Sequence, residues 1–133
     1  CISIGREYLT KHTEDTSSRV VVLGEVGIGN TTSASALVAA LTSEPTKDVC
    51  GGGAFASRNA SEAVIAKKIA IVDKALAKHF GTNGSKQIGI QATDALTKVG
   101  GAEIGAMVGA LLEASSRDIA VLVDGFIATA AAL

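Results

Sequence analysis

Residues 20–41 read VVVLGEVGIGNTTSASALVAAL, and this stretch decides the fold. The uninterrupted β-branched run at its start predicts a strand of the kind found in parallel sheets, which are covered on both faces. A glycine-rich turn follows, and then a helix that ends before Pro45. The apolar residues of that helix share one side: Ala34, Leu37, Val38 and Leu41. The stretch therefore predicts the first half of a βαβ unit.

The composition is that of a globular domain. The chain has 133 residues, of which 47% are hydrophobic, and this is ample for a buried core. Twelve Lys and Arg against 13 Asp and Glu give a net charge of −1, which argues against a nucleic-acid partner. No apolar stretch approaches the ~20 residues of a membrane helix, and no signal segment opens the chain. We therefore expect a cytoplasmic protein with neither nucleic acid nor membrane as a partner.

Three more helices are predicted from apolar spacing and end signals. The first runs from about Ser61 to Phe80, with Asn59 as its cap and Gly81 at its end. A short one, capped by Asp94, ends near Gly100–Gly101. The third has apolar residues at helical spacing: Ile104, Met107, Val108, Leu111 and Leu112. Its stripe of small residues (Gly101, Gly105, Gly109) predicts close packing on a helix or a sheet, because nearby charges argue against a membrane helix.

Only two strands are strong, at 20–23 and at Ile119–Val123. A short third is expected at Gln87–Ile90 or near Val49. Two parallel strands alone would leave long unpaired edges, so further strands are expected outside these 133 residues. The chain also opens on Cys1 within a predicted helix and stops as another begins. The sequence thus predicts one partial domain at 1–133: the central part of a doubly wound, mostly parallel Rossmann-like α/β sheet flanked by helices, incomplete at both ends.

The glycine turn is a candidate phosphate site. Its spacing from Gly24 to Gly29 to Thr31 fits a P-loop except that Asn30 stands in place of the lysine. A strand that ends in glycines and opens a helix gathers unpaired N–H groups at the positive end of the helix dipole. Gly27 and Gly29 leave room for an anion. The side chains that follow can cap the helix or donate to phosphate: Asn30, Thr31 and Thr32. An ordinary tight turn remains the alternative.

Tight phosphate binding at the glycine turn requires an additional positive charge. A helix end contributes roughly 0.3 to 2 kcal/mol to anion binding, whereas a micromolar ligand requires about 8 kcal/mol. The best sources are the second glycine turn, Gly51–Gly53, and the pair Lys67–Lys68 on the following helix. Taken alone, lysines such as these are more often solvated surface residues, which is the alternative.

Glu25 is unexpected in a phosphate turn, because a carboxylate repels the ligand unless it faces developing positive charge. The oxocarbenium-like transition state of ribosyl transfer carries such charge, and an anion placed for it lowers the barrier selectively. A glutamate that points to solvent is the alternative.

Four stretches together resemble the nicotinate-nucleotide–dimethylbenzimidazole phosphoribosyltransferases of cobalamin biosynthesis. Gly24–Thr32 is close to the signature turn of that family, in which Met is common at the position of Val26. Gly51–Ala54 resembles its second glycine turn, and Val99–Ile104 resembles the start of one of its helices. Val123–Ile127, continued by Thr129–Leu133, resembles its strand-to-helix segment. The resemblance extends over nearly the whole chain.

This resemblance implies transfer of the phosphoribosyl group of nicotinate mononucleotide to dimethylbenzimidazole, without cofactor or metal, by a homodimer. It implies Glu25 as the loop carboxylate near the ribose. The implied phosphate- and substrate-binding residues are Gly27, Ile28, Gly29, Asn30, Thr31, Gly53 and Lys68. The alignment leaves Lys67 open as an alternative to Lys68. The general base and much of the azole pocket are implied to lie outside this chain, so we expect the chain alone to be nearly inactive.

Two alternatives stay open on the residues. One is a P-loop-like NTP-binding protein that lacks the lysine, for which Asp124 is the only candidate acidic metal ligand. The other is a non-catalytic phosphate- or nucleotide-binding fragment.

Overall fold

The computed structural model of the chain describes residues 1–14, 20–53, 62–81 and 89–133. In chain order the elements are α1 (Ile2–Thr13), β1 (Val20–Leu23), α2 (Asn30–Thr42), α3 (Thr46–Val49), α4 (Glu62–Phe80), α5 (Ala92–Val99), α6 (Ala102–Ser116), β2 (Ala120–Val123) and α7 (Gly125–Ala132). They fall into two compact units. Residues 1–27 with 101–133 are called the sheet unit, and residues 28–100 the helical unit.

The sheet unit contains the two predicted strands. β1 and β2 pair in parallel, in a register that runs from Val20 opposite Ala120 to Leu23 opposite Val123. Parallel neighbours cannot be joined by a hairpin and need a long crossover connection. The structure therefore confirms both strands and the α/β class.

Helices α1 and α6 of the sheet unit pack closely against each other because glycines lie at their contact. A Cβ added at Gly5 would collide with the backbone carbonyl of Ala106, and one added at Gly109 would collide with that of Ile2. The backbones of the two helices thus approach where a side chain would separate them. The close packing predicted for the small-residue stripe is confirmed at Gly109, and its partner is α1, whereas a Cβ at Gly101 would meet the nearby Glu103 side chain.

The core of the sheet unit lies between this helix pair and one face of the sheet. Buried side chains from α1, α6 and the start of β2 form it: Leu9, Ala110, Ala114 and Ile119. Val21, Leu23 and Val121 pack against them. Because side chains alternate along a strand, the other residues face away. Val20, Val22 and Leu122 are accordingly 53%, 62% and 59% exposed, which leaves an apolar surface on the outer face of the sheet.

The helical unit is built around α2, which contacts α3, α4 and α5. The inner face of α4 is half-buried at Ile65 and Ile69 and buried at Val72 and Leu76. The predicted end of α4 is confirmed, since the Gly81 N–H donates to the Ala77 carbonyl at 3.0 Å.

Two local predictions were wrong. Residues near Val49 do not form a strand but the short helix α3, directly after Pro45. Asp94 is not the cap of α5; the cap is Gln91, and Asp94 lies in the first turn, where its carboxylate pairs with Lys98 Nζ at 2.8 Å one turn later. The predicted cap Asn59 and the first two residues of the possible strand at 87–90 lie outside the described residues, and residues 89 and 90 are not in a strand.

No helix in the described ranges combines the length and apolarity needed to cross a membrane.

Candidate functional site

The glycine turn delivers the chain from β1 into α2. Gly29, with φ of 83°, is the N-cap of α2, and no side chain caps this helix end. The Thr32 N–H donates to the Gly29 carbonyl at 3.1 Å, which tightens the first turn. Val26 and Ile28 are fully exposed in the turn. Among the described residues, no side chain caps the start of α2, and its backbone N–H groups lie at the positive end of the helix dipole, where anions bind.

A lysine from α4 reaches the start of α2. The Lys68 ammonium donates to Thr31 Oγ1 at 2.9 Å and to the Gly51 carbonyl at 2.7 Å. Lys67, its neighbour, is exposed. A helix places adjacent residues about 100° apart around its axis, so only one of the two can point toward α2. The geometry brings Lys68, rather than Lys67, to the start of α2 and to the second glycine turn.

Gly53 leaves space for this lysine. Its φ is +66°, and a Cβ built there would lie 3.3 Å from Thr31 Oγ1 and 3.5 Å from Lys68 Nζ. A side chain at this position would be strained by its backbone conformation and would press on the hydrogen-bonded pair. The second glycine turn therefore contributes a backbone conformation that favours glycine and leaves space beside Thr31 and Lys68.

The arrangement in the helical unit suits an anion. An ammonium carries three N–H donors, and Lys68 uses two of them on uncharged oxygens. These contacts do not neutralise its positive charge, and among the described residues no acceptor is recorded for the third donor. Together with the positive end of α2, it can supply the cation that the helix end alone lacks.

Cys50, which directly precedes the second glycine turn, lies in surroundings that do not favour a nucleophilic thiol. Burial raises the pKa of its thiol, an effect that the Ser35 hydrogen bond and the Lys68 charge oppose and the Asp73 charge reinforces. A thiol with a raised pKa remains protonated near neutral pH and is a poor nucleophile.

Glu25 and Gly27 belong to the sheet unit, at the carboxyl end of the sheet. Glu25 is half-buried, one residue after Gly24. The Asp124 N–H donates to the Leu23 carbonyl at 2.8 Å, and a Cβ at Gly24 would lie 3.4 Å from Asp124 Oδ2. This edge thus carries Asp124 next to the turn that holds Glu25. Ligands of parallel sheets bind at such carboxyl edges.

Thr32, which the sequence grouped with Thr31, lines a different feature. A cavity of about 280 Å³ in the helical unit has Thr32, Lys98 and Val99 among its lining residues. Within the described ranges, no three His, Cys, Asp or Glu side chains come together to hold a metal ion.

Two hydrogen bonds that brace the helical unit were not foreseen. Thr46 Oγ1 donates to Asp73 Oδ1 at 2.7 Å and joins α3 to α4. Ser35 Oγ donates to the Val49 carbonyl at 2.9 Å and joins α2 to the end of α3. Together they fix the residues that lead into the second glycine turn. The sequence offered no signal for either bond, because each joins residues far apart in the chain.

Comparison with known proteins identifies close relatives of the chain. The family model DBI_PRT, described as a phosphoribosyltransferase, matches residues 1–133. The nicotinate-nucleotide–dimethylbenzimidazole phosphoribosyltransferase of Roseiflexus castenholzii is 45% identical over 114 residues, which are 86% of this chain and 30% of that protein. The enzyme of the same name from Ralstonia nicotianae is 42% identical over 132 residues, which are 99% of this chain and 34% of that protein.

Solved structures agree with this comparison. A crystal structure of CobT from Thermus thermophilus superposes with a TM-score of 0.83 at 31% identity, over 98% of this chain and 36% of that chain. A crystal structure described as the nicotinate-nucleotide–dimethylbenzimidazole phosphoribosyltransferase of the same organism gives a TM-score of 0.80. The predicted Rossmann-like α/β fold is confirmed by these neighbours. The chain spans about a third of the length of the relatives that it matches.

Proposed function

The chain belongs to the phosphoribosyltransferase family DBI_PRT, and we propose that it forms the phosphate-binding core of an enzyme that converts nicotinate mononucleotide and dimethylbenzimidazole into α-ribazole phosphate and nicotinate in cobalamin biosynthesis. The observation that carries the proposal is the position of the Lys68 ammonium, which donates to Thr31 at the start of α2 and to Gly51 in the second glycine turn. The names of the relatives supply the two substrates.

In this proposal the 5′-phosphate of the mononucleotide binds at the start of α2. Gly27, Ile28, Gly29 and Asn30 bring the backbone to the phosphate, and Lys68 supplies the cation. The partners of Lys68 among the described residues are uncharged oxygens, which leave its positive charge for the ligand. A charge-assisted hydrogen bond is about twice as strong as a neutral one. Phosphate binding by a built site of this kind needs neither metal nor cofactor.

The proposed chemistry replaces one C–N bond with another. A ring nitrogen of dimethylbenzimidazole attacks the anomeric carbon of the ribose, and the bond from that carbon to the pyridinium nitrogen breaks. The pyridinium takes the bonding electron pair and leaves as nicotinate. A base accepts the azole proton. That base and much of the azole pocket are proposed to lie outside these 133 residues.

Glu25 is proposed to stabilise the positive charge that develops on the ribose as the bond breaks. The Glu25→Gln substitution, made at the corresponding position of a full-length family member, should lower kcat at least tenfold and change KM little. Equal kcat values for the two enzymes would remove Glu25 from the mechanism.

The binding proposal is tested by thermal-shift titration of this chain with nicotinate mononucleotide, beside ATP with Mg²⁺. A ligand at a hundred times its Kd should raise the stability by about 2.7 kcal/mol. Lys68→Gln should reduce the shift produced by the mononucleotide, whereas the matched Lys67→Gln variant should keep it. Stabilisation by ATP with Mg²⁺ alone would favour the P-loop alternative and overturn the proposal.

We further propose that the complete enzyme is a cytoplasmic homodimer that binds neither nucleic acid nor membrane. The family resemblance supports the dimer, and the balanced charge of the chain supports the absence of a nucleic-acid partner. Light scattering on a full-length family member tests the dimer, since a monomeric mass would exclude it.

A further inference from the structure

Thr31, at the start of α2, is hydrogen-bonded to Lys68. Its Oγ1 accepts a hydrogen bond from Lys68 Nζ at 2.9 Å across 37 residues of sequence, and the contact is partly buried. The Gly51 carbonyl holds the same ammonium from the second glycine turn at 2.7 Å. Two acceptors from different segments therefore fix one cation.

This arrangement addresses the main weakness of lysine as a phosphate ligand. Its ammonium lies at the end of a flexible stem and loses rotamer entropy when a ligand orders it. A lysine already ordered by protein acceptors loses less on binding, which is the general advantage of preorganisation.

We propose that Thr31 is a positioning residue, whose hydroxyl oxygen, with the Gly51 carbonyl, holds Lys68 so that the remaining ammonium proton meets the phosphate of the ligand. The inference rests on the proposed function, because the ligand is the phosphate of nicotinate mononucleotide. It gives Thr31 a role through Lys68 that is separate from direct contact with the substrate. A hydroxyl that accepts from the ammonium also keeps its own O–H for donation to a neighbouring acceptor.

The same geometry gives Gly53 a role. A Cβ there would lie 3.3 Å from Thr31 Oγ1, a tight contact, and 3.5 Å from Lys68 Nζ, and the φ of +66° would strain any other residue. Glycine at this position therefore leaves the Thr31–Lys68 pair undisturbed.

The first measurement uses no ligand. An ordered ammonium with two acceptors should give a distinct ¹H–¹⁵N signal, which we expect for Lys68 in the wild-type chain and in Thr31→Ser. The signal should be lost in Thr31→Val, which keeps the shape of the side chain and removes the acceptor. A Lys68 signal that is unchanged in Thr31→Val would overturn the inference whether or not the chain binds nucleotide.

The second measurement is the Kd for nicotinate mononucleotide. Thr31→Val should weaken binding about tenfold, the scale of one hydrogen bond to a charged group, and Thr31→Ser should stay within about twofold of wild type. Gly53→Ala should weaken binding as Thr31→Val does and serves as the second variant if the valine variant unfolds. Lys67→Gln is the matched surface control.

The outcomes separate the two proposals. Weaker binding in Lys68→Gln with unchanged binding in Thr31→Val would overturn the positioning role and leave the proposed function intact. No binding by the wild-type chain, together with a Lys68 signal that depends on Thr31, would count against the proposed function and still support the positioning of the lysine. Equal loss in Thr31→Ser and Thr31→Val would indicate a steric role and overturn the inference.

Discussion

Replacing Gly109 with alanine should destabilise the sheet unit, although alanine is the better helix former. The new Cβ would collide with the backbone carbonyl of Ile2, and a backbone atom cannot move aside as the end of a side chain can. Helices α1 and α6 must therefore separate, which loosens the core against the sheet. Overpacking of a core typically costs about 1–3 kcal/mol, and a clash with backbone places this case at the upper end, near 3 kcal/mol. The gain in helix propensity offsets about 1 kcal/mol.

The net expectation for Gly109→Ala is a loss of about 2 kcal/mol in the free energy of unfolding. For a chain of this length, that loss corresponds to a fall of roughly 6–10 °C in Tm. Urea unfolding followed by circular dichroism measures it, with Ser115→Ala as the matched control. Ser115 is exposed on the same helix, so alanine there changes propensity without a new contact. A Gly109→Ala chain at least as stable as wild type would refute the argument that the glycines set the distance between α1 and α6.

Three further predictions concern other parts of the chain. Iodoacetamide should alkylate the exposed Cys1 before the buried Cys50, and the reaction of Cys50 should begin only at higher pH because its pKa is raised. Peptide mass spectrometry measures the alkylation rate of each cysteine. Equal rates would contradict the argument that burial protects Cys50. Leu122→Thr should reduce self-association of the concentrated chain, measured by light scattering, because this side chain is 59% exposed on the outer face of the sheet. The free energy of unfolding should change by less than about 0.5 kcal/mol. Unchanged self-association would show that this face does not mediate it. Thr46→Val should cost about 1–2 kcal/mol by urea unfolding, since it removes the 2.7 Å hydrogen bond to Asp73, whereas Thr46→Ser should cost less; equal losses would assign the effect to packing.

The sequence predictions were correct where interactions between residues close together in the chain determine the structure. The β-branched run at 20–23 forms a strand, and the glycine turn leads into α2 as expected. Helical spacing also identified α4 and α6, because an amphipathic period reports which face is buried whatever the partner is. The errors near Val49 and at Asp94 have local causes as well: a proline opened a helix turn at the first, and an ion pair one turn away competed for the side chain at the second.

The sequence by itself determined both strands, the glycine turn, the helices α2, α4 and α6, and the resemblance to a phosphoribosyltransferase family, because each of these depends on residues close together in the chain. Only the tertiary structure decided which of Lys67 and Lys68 meets the turn, since that depends on the rotation of α4 about its axis when it packs on α2. It also decided that Gly109 of α6 packs against α1 and that Gly53 lies beside the Thr31–Lys68 pair. These are contacts between residues distant in sequence, and no local propensity specifies the partner of such a contact.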